Sequence, residues 1–278
     1  MRPTTAPYEN IPVRSFRRRV PCFWHFRAGE EGRAHAADLT GQPFRQLLMP
    51  QATKHPSRSR SVIVLLGGPG SGKGTHGLAL AAALGYQHLS SGEHFRDHIR
   101  RATPLGHRAQ KFIESGQLVP DEVTKELARA MLGGCPDASG FVLDGYPRSL
   151  AQAEALETIV SALCCEVTQT IYLAISDDEI VRRLSGRLTC RTCGRTCHET
   201  SKPPARAGVC DACGGELFRR TDDEPATIRQ RADVFRRMIG PLLDFYRETG
   251  RLVEIAAEGP VHEVSARVIA MSRNEHPR

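Results

Sequence analysis

The sequence predicts an α/β fold with a parallel sheet flanked by helices, and three consecutive features carry that prediction. The run SVIVLL at 61–66 is β-branched or leucine after its first residue, as in a strand buried on both faces. The glycine-rich stretch GGPGSGKGT follows at 67–75, and an alanine-rich run typical of a helix follows at 78–84. A strand, a glycine loop and a helix in this order form the first unit of such a sheet.

The glycine-rich stretch is predicted to bind nucleotide phosphates, because it contains the spacing G-x-x-x-x-G-K of a phosphate-binding loop. Glycines let several backbone N–H groups approach one anion, and the start of a helix adds its positive dipole end. The strict motif has Ser or Thr after the lysine, whereas this chain has glycine there and a hydroxyl one residue later. A glycine turn with a chance lysine is the alternative. The predicted phosphate-binding residues are Gly70, Ser71, Gly72, Lys73, Gly74 and Thr75.

Composition favours a soluble globular protein. Of the 278 residues 40% are hydrophobic and 25% charged, which suits one large domain with smaller inserted modules. No apolar run is long enough to cross a membrane. The net charge of +7 lies in residues 1–60, and residues 61–278 are neutral overall. We therefore expect no polyanion-binding surface on the folded part, and no nucleic-acid partner.

Residues 1–60 are predicted to be a basic extension without stable structure, because they are rich in Arg and Pro and lack sustained periodicity. Three roles stay open for it. It is a dispensable segment before a true start near Met49, a targeting segment or an interaction arm. The folded domain is predicted to cover residues 61–278.

The other helices and strands are predicted from apolar runs and from the residues that begin or end them. Ser90 or Ser91 can cap a helix beginning near Gly92, and Gly116 ends the next helical stretch. Proline and acidic residues start another helix at Pro120. The predicted elements are helices over 105–115, 120–132 and 149–165, one from Asp177, one before Tyr246 and one over 261–271, with strands over 141–144, 167–175 and 251–255.

Asp144 ends the apolar strand 141–144 and is predicted to hold Mg²⁺, usually through water. An acid at the carboxyl end of a parallel strand beside a phosphate loop is well placed for this task. An N-cap or turn aspartate is the alternative. Arg182, Arg183 and Arg187 are predicted to lie on the helix that begins at Asp177. They could form a solvated face, but phosphoryl transfer needs several cations, and arginine suits phosphate contact.

Four of the nine cysteines form two C-x-x-C pairs sixteen residues apart, which is the spacing of a structural zinc site. Four thiolates close such a site and leave no open position for catalysis. Redox dithiols and a site without metal are the alternatives, and Cys197 or His198 could substitute as ligands. The predicted zinc ligands are Cys190, Cys193, Cys210 and Cys213.

From residue 61 to about 271 these motifs resemble the adenylate kinase family, in its long form with a zinc-bearing lid. The resemblance is carried by GGPGSGKGT at 67–75, LSSGEHFR at 89–96, FVLDGYPRSLAQA at 141–153, SGRLTCRTCG at 185–194 and CDACGGELFRRTDDEPATIRQR at 210–231. It implies the P-loop nucleoside monophosphate kinase fold, with a five-stranded parallel sheet. It also implies a small AMP-binding lobe over about 90–119 and a zinc-ribbon-like lid over about 186–223 that closes over ATP.

The resemblance further implies the reversible reaction of MgATP and AMP to two ADP, and it assigns roles residue by residue. Asp222 and Asp223 match lid acids that orient arginines. The implied catalytic residues are Lys73, Asp144, Arg183, Arg187, Arg220 and Arg231. ATP is expected at the phosphate loop, Arg187, Thr196 and Cys197. AMP is expected at Ser91, Arg96, Gln117, Leu118, Val119, Gly145, Tyr146, Pro147, Arg148, Gln152, Arg220 and Arg231.

Four residues depart from the family pattern. Ser91 stands for Thr, Tyr146 for Phe, His76 for Gln, and Cys197 for an aromatic residue that commonly contacts the ATP adenine. A kinase for GMP, UMP or CMP, a nucleic-acid-binding ATPase with a zinc ribbon, and an inactive homologue remain as alternatives. We expect a cytoplasmic monomer whose partners are ATP, AMP and ADP, with Zn²⁺ and Mg²⁺ as cofactors.

Overall fold

A five-stranded parallel sheet is the centre of the structure, a computed structural model that describes residues 59–273. The predicted extension therefore lies almost wholly outside the described residues. The strand order is β2-β3-β1-β4-β8, and every neighbouring pair is parallel. This confirms the predicted α/β class and strand number. The strands are β1 (Arg60–Gly67), β2 (Gln87–Ser90), β3 (Gly140–Asp144), β4 (Cys165–Ala174) and β8 (Leu252–Ala256).

Helices cover both faces of the sheet, because side chains of a parallel strand alternate between two buried faces. Val62 and Val64 of β1 join the core cluster of Leu156 and Tyr246, whereas Ile63 joins a second cluster on the other face. No described helix is both long and apolar enough to cross a membrane. The helices are α1 (Lys73–Leu84), α2 (Ser91–Arg100), α3 (Pro104–Glu114), α4 (Asp121–Gly133), α5 (Leu150–Ala162), α6 (Asp177–Ser185), α7 (Pro225–Glu248) and α8 (Val261–Arg273).

A small antiparallel sheet occupies the segment that contains the two C-x-x-C pairs. Its strands are β5 (Arg187–Cys190), β6 (Thr196–His198) and β7 (Leu217–Phe218), in the order β6-β5-β7. A single 3₁₀ turn, Thr221–Asp223, leads from this sheet to α7. We call residues 186–223 the lid segment.

The structure departs from the sequence-based boundaries at three places. Strand β2 was not located from the sequence, because its four residues mix polar and apolar side chains. Cys165 was predicted to end a helix, but α5 stops at Ala162 and Cys165 begins β4. Arg187 was predicted on the helix that begins at Asp177. That prediction is wrong, because α6 ends at Ser185 and Arg187 is the first residue of β5.

Candidate active site

The predicted phosphate loop and Asp144 meet at the carboxyl edge of the sheet. Strand β1 runs straight into the loop, and its Leu65 pairs with Asp144 at the end of β3. Ligands of open α/β sheets bind outside this edge, where the loops after neighbouring strands converge. The fold therefore brings a lysine-bearing glycine loop and a carboxylate to one cleft, as the sequence predicted.

The glycine loop needs glycine at Gly70 and Gly72, whose φ angles of 78° and 88° lie in the left-handed region. Gly72 is also the N-cap of α1, so the loop ends on the positive end of that helix. Beneath Gly72 lies the buried ring of His76, whose Nδ1 is 2.9 Å from Ser265 Oγ of α8. Burial, together with nearby Arg183, lowers the pKa of His76 to about 4. The neutral ring thus fills the space between the loop and α8.

Lys73 crosses the glycine loop from the first turn of α1. Its ammonium donates hydrogen bonds of 2.7 Å to the carbonyl oxygen of Gly67 and 2.8 Å to that of Gly68. Burial lowers the pKa of Lys73 to about 8, Asp144 opposes that shift, and the nearby Arg148, Arg231 and Arg187 add to it. These charges act on one ammonium, so they surround one small volume. A polyanion bound in that volume would be attracted by several cations, which repel one another in its absence.

The low pKa of Lys73 predicts an alkaline limit to activity. The chain loses this cation as the pH rises through about 8, so kcat/KM for the MgATP that the resemblance implies as substrate should fall above that pH. The contribution of Lys73 to the free energy of unfolding changes with pH in the opposite direction. Between that value and the ordinary lysine pKa the unfolded chain binds more protons, so this group favours folding as the pH rises. Measuring kcat/KM from pH 6 to 10 checks the limit, and a flat profile would contradict it.

Asp144 lies under the loop with its side chain 12% exposed. No donor among residues 59–273 hydrogen-bonds its carboxylate, and His88 Nε2 of β2 lies 4.0 Å from Oδ2. Burial lowers the pKa of His88 although Asp144 opposes it. A Cβ on Gly74 would lie 3.4 Å from the same carboxylate oxygen. This is an ordinary van der Waals distance, so the contact alone does not require glycine at position 74. Free carboxylate oxygens are the ligands that Mg²⁺ prefers.

Two buried acids organise the arginines of the lid segment. Asp223 accepts a bidentate pair from Arg187, with Nε 2.7 Å from Oδ2, and Arg231 Nη1 lies 3.2 Å from its Oδ1. Asp222 pairs in the same way with Arg220, and its backbone carbonyl accepts from Arg231 at 2.8 Å. Burial would raise the pKa of Asp222, but Arg220 and Arg231 hold it well below its usual range. Asp222 therefore stays ionised, and the two carboxylates hold three arginines side by side.

Arg183 is not part of that cluster. Its Nε lies 2.7 Å from Glu179 Oε1, and its Nη2 donates to the carbonyl of Ala257 at 2.9 Å. A longer contact of 3.4 Å reaches the carbonyl of Gly70 in the glycine loop. Arg183 thus joins the loop to the residue that follows β8.

A pocket between α2, α4 and the end of β3 contains most residues predicted to contact AMP. Pro147 follows a cis peptide bond and does not line this pocket. Burial lowers the pKa of Arg96 to about 9, with the charge of Arg220 adding to the shift. The predicted residues that line the pocket are Ser91, Arg96, Gln117, Leu118, Val119, Gly145, Tyr146, Arg148, Gln152, Arg220 and Arg231.

Gln152 is buried at the inner wall of this pocket, and two protein groups hold its carboxamide. Nε2 donates to Asp121 Oδ1 at 2.8 Å, and Oε1 accepts from the backbone N–H of Arg148 at 2.8 Å. Tyr146 is also buried, and its hydroxyl has no hydrogen-bond partner among the described residues. The sequence did not single out Asp121 or His88, because each acts through a partner distant along the chain.

Thr196 and Cys197 lie on β6 of the lid segment and do not line the pocket. Cys197 is half-buried and pairs with Leu188 of β5.

The four predicted metal ligands, by contrast, come together. Their sulfur atoms all lie within 4.8 Å of one another, with 3.5 Å between Cys190 and Cys213 and 3.6 Å between Cys193 and Cys210. Four sulfurs at about 2.3 Å from one zinc ion would be about 3.8 Å apart, so this group fits a tetrahedral metal site.

Comparison with known proteins agrees with this arrangement. The family model described as adenylate kinase matches residues 65–251. The chain belongs to the adenylate kinase family. An adenylate kinase of Acidothermus cellulolyticus is 43% identical over 212 residues, covering 76% of this chain and 98% of that protein. One of Bacillus licheniformis is 44% identical over 204 residues, covering 73% and 94%. One of Salinispora tropica is 42% identical over 212 residues, covering 76% and 98%.

Membership of the adenylate kinase family confirms the resemblance inferred from the motifs, and with it the prediction of a phosphotransferase enzyme. It disfavours the alternative of a nucleic-acid-binding ATPase. The glycine loop, the arginine cluster and the cysteine group all fall inside the matched residues 65–251. The adenylate kinase relatives are matched over nearly their whole length, so the comparison covers each part of the site.

Proposed function

We propose that this enzyme transfers the γ-phosphoryl group of MgATP to AMP and so forms two ADP. The observation that carries the proposal is the convergence of charges on Lys73. Asp144, Arg148, Arg187 and Arg231 come from the core and from both sides of the cleft, and all of them act on its ammonium. Phosphoryl transfer needs such a set of cations, because negative charge is spread over the oxygens of the transferring group.

The residues of the cleft would hold the two nucleotides on opposite sides of the transferring group. ATP phosphates lie along the glycine loop and Lys73, and Thr196 and Cys197 face the ATP base from the lid segment. Arg96 and Arg148 bind the AMP phosphate, while Ser91 and Gln152 contact its base; of these, Ser91 and Arg96 belong to the lobe of about residues 90–119. Arg183, Arg187, Arg220 and Arg231 stabilise the transferring group. This arrangement aligns the reactants without a covalent intermediate, and the lid segment excludes water.

Asp144 would hold Mg²⁺, directly or through water, since its carboxylate accepts no hydrogen bond from the described residues. Bound Mg²⁺ supplies positive charge to the phosphate oxygens and orients them. Asp144 itself would keep that charge next to the glycine loop. His88 Nε2 lies 4.0 Å from Asp144 Oδ2, so His88 limits how far the carboxylate can move toward β2.

A coupled assay of ADP formation from ATP and AMP tests the proposal. GMP, UMP and CMP serve as competing acceptors in parallel reactions. We expect AMP to have the highest kcat/KM, and a preference for GMP or UMP would show that another nucleoside monophosphate is the acceptor. No ADP formation from any of them would support the inactive homologue instead.

We further propose that the four cysteines bind zinc and that the metal stabilises the lid segment, which is too small to have a core of its own. Burial opposes ionisation of Cys190, but backbone N–H groups of Cys193 and Thr192 lower its pKa, whereas burial raises the pKa of Cys193. A thiolate is the form that binds metal. Retention of four thiols requires a reducing compartment, which supports action in the cytoplasm. Because one chain supplies residues for both nucleotides, we propose a monomer.

Removal of the metal should loosen the lid segment and reduce activity. Purified full-length enzyme is expected to contain about one zinc ion per chain, because the four thiolates complete one tetrahedral site. Cys210→Ser should lose that ion and lower the Tm, whereas Cys164→Ser, at an exposed cysteine outside the group, should change neither. Metal analysis and thermal unfolding measure both effects. A Cys210→Ser enzyme with unchanged metal content would disprove the four-thiolate site.

A further inference from the structure

The carboxamide of Gln152 has only one orientation that satisfies its protein partners. The Asp121 carboxylate can only accept a hydrogen bond, and the backbone N–H of Arg148 can only donate one. Gln152 therefore places its nitrogen toward Asp121 and its oxygen toward residue 148, each at 2.8 Å. A flipped amide would set two acceptors against each other at Asp121 and two donors against each other at residue 148.

These partners use one half of the amide's hydrogen-bonding capacity. A carboxamide has two N–H donors and two acceptor lone pairs on its oxygen, and the protein takes one of each. One donor and one acceptor are left for the pocket that Gln152 lines. Adenine presents the complementary pair, an acceptor at N1 beside the donor amino group at N6. Hypoxanthine, the base of inosine monophosphate (IMP), presents the reverse, a donor at N1 beside an acceptor at O6.

We propose that Asp121 is a specificity-determining positioning residue, which holds the Gln152 amide in the orientation that accepts AMP and rejects IMP. This inference rests on the proposed function, in which AMP is the acceptor and Gln152 contacts its base. Asp121 does not line the pocket, so its influence on the base passes through Gln152. Asp121 lies in the first turn of α4, where Thr124 Oγ1 donates to its backbone oxygen at 2.9 Å and so holds the backbone that carries the carboxylate.

Asp121→Asn tests the proposal, because an asparagine can either accept from or donate to the amide. The variant removes the clash at residue 121 and leaves only the two donors at residue 148 opposing the flipped Gln152, so kcat/KM for IMP should rise while kcat/KM for AMP falls. One charge-assisted hydrogen bond contributes about tenfold or more to such an equilibrium. We therefore expect the AMP to IMP ratio of kcat/KM to fall by about tenfold or more. IMP suits the test because it differs from AMP only at this edge of the base.

Glu122→Gln is the matched control. It removes the same charge from the same helix turn, but its side chain is 82% exposed and pairs with Lys125 instead of Gln152. The AMP to IMP ratio should not change in this variant. If Asp121 affected stability alone, Asp121→Asn would lower kcat/KM for AMP and kcat/KM for IMP by the same factor. A rise in IMP turnover cannot come from loss of folded protein.

Three results would overturn the inference. They are equal changes for AMP and IMP in Asp121→Asn, no change for either nucleotide, or IMP turnover that stays undetectable in that variant. Failure of the proposed function would give a different result, because the unaltered enzyme would then form no ADP from ATP and AMP.

Discussion

Lys73→Met should lower kcat by about 10²–10³-fold while the enzyme stays folded, because the loss of one preorganised cation at the transferring phosphoryl has an effect of this size. Methionine keeps the length of the aliphatic chain, so the change removes the ammonium and little else. The native ammonium already lies within 2.8 Å of two loop carbonyls, and it needs no large movement to meet a phosphate. Steady-state kinetics with ATP and AMP measure the effect, and circular dichroism checks the fold.

Lys111→Met serves as the control for the loss of a positive charge. Lys111 is exposed on α3 and makes no ion pair within the described residues, so its replacement should leave kcat unchanged. If Lys73→Met retained full turnover, the glycine loop would have no catalytic role. A loss confined to KM would assign Lys73 to ATP binding alone.

Asp223→Ala should both destabilise the enzyme and reduce its turnover. The Asp223 side chain is fully buried and is shared by Arg187 and Arg231, whose side chains are 18% and 20% exposed. Without it, Arg187 loses its bidentate ion pair, and Arg231 keeps only Asp222, whose Oδ2 lies 3.1 Å from its Nη1. Removing one partner of a buried charge pair costs about 3–5 kcal/mol, and the partial exposure of both arginines places the expected loss at about 3 kcal/mol. Urea unfolding measures it.

The charge cluster also predicts how nucleotides change the stability of this variant. Phosphate groups can replace the missing carboxylate beside Arg187 and Arg231. Saturating ATP with AMP should therefore raise the Tm of Asp223→Ala more than that of the unaltered enzyme. Asp177→Ala is the control, because its ion pair with Arg236 is more than half exposed on both sides and contributes little. Equal stability of Asp223→Ala and Asp177→Ala would refute the organising role of Asp223.

Sequence alone was sufficient where the chemistry is local. The glycine loop, the end of β3 at Asp144 and each C-x-x-C pair lie within a few consecutive residues, and the structure brings the loop and Asp144 to one edge of the sheet and the four cysteines together. Contacts between distant residues were not accessible in this way. The pairs Asp121–Gln152 and His88–Asp144 depend on which strands and helices become neighbours. Strand β2 was also missed, because its pairing with β3 determines it more than its own four residues do.

Residue 186 alone connects the helix that carries Arg183 to the strand that begins at Arg187. Helix α6 ends at Ser185 and β5 begins at Arg187, so Gly186 is the whole connection between them. The ring of His198 lies so close that a Cβ on Gly186 would be 2.3 Å from it, which leaves no room for a larger residue at the joint. Rotation about this joint would carry Arg187 with β5 and leave Arg183 beside Gly70. The set of cations would then be complete in only one rotational state, and the others would lack a cation that the proposed phosphoryl transfer uses.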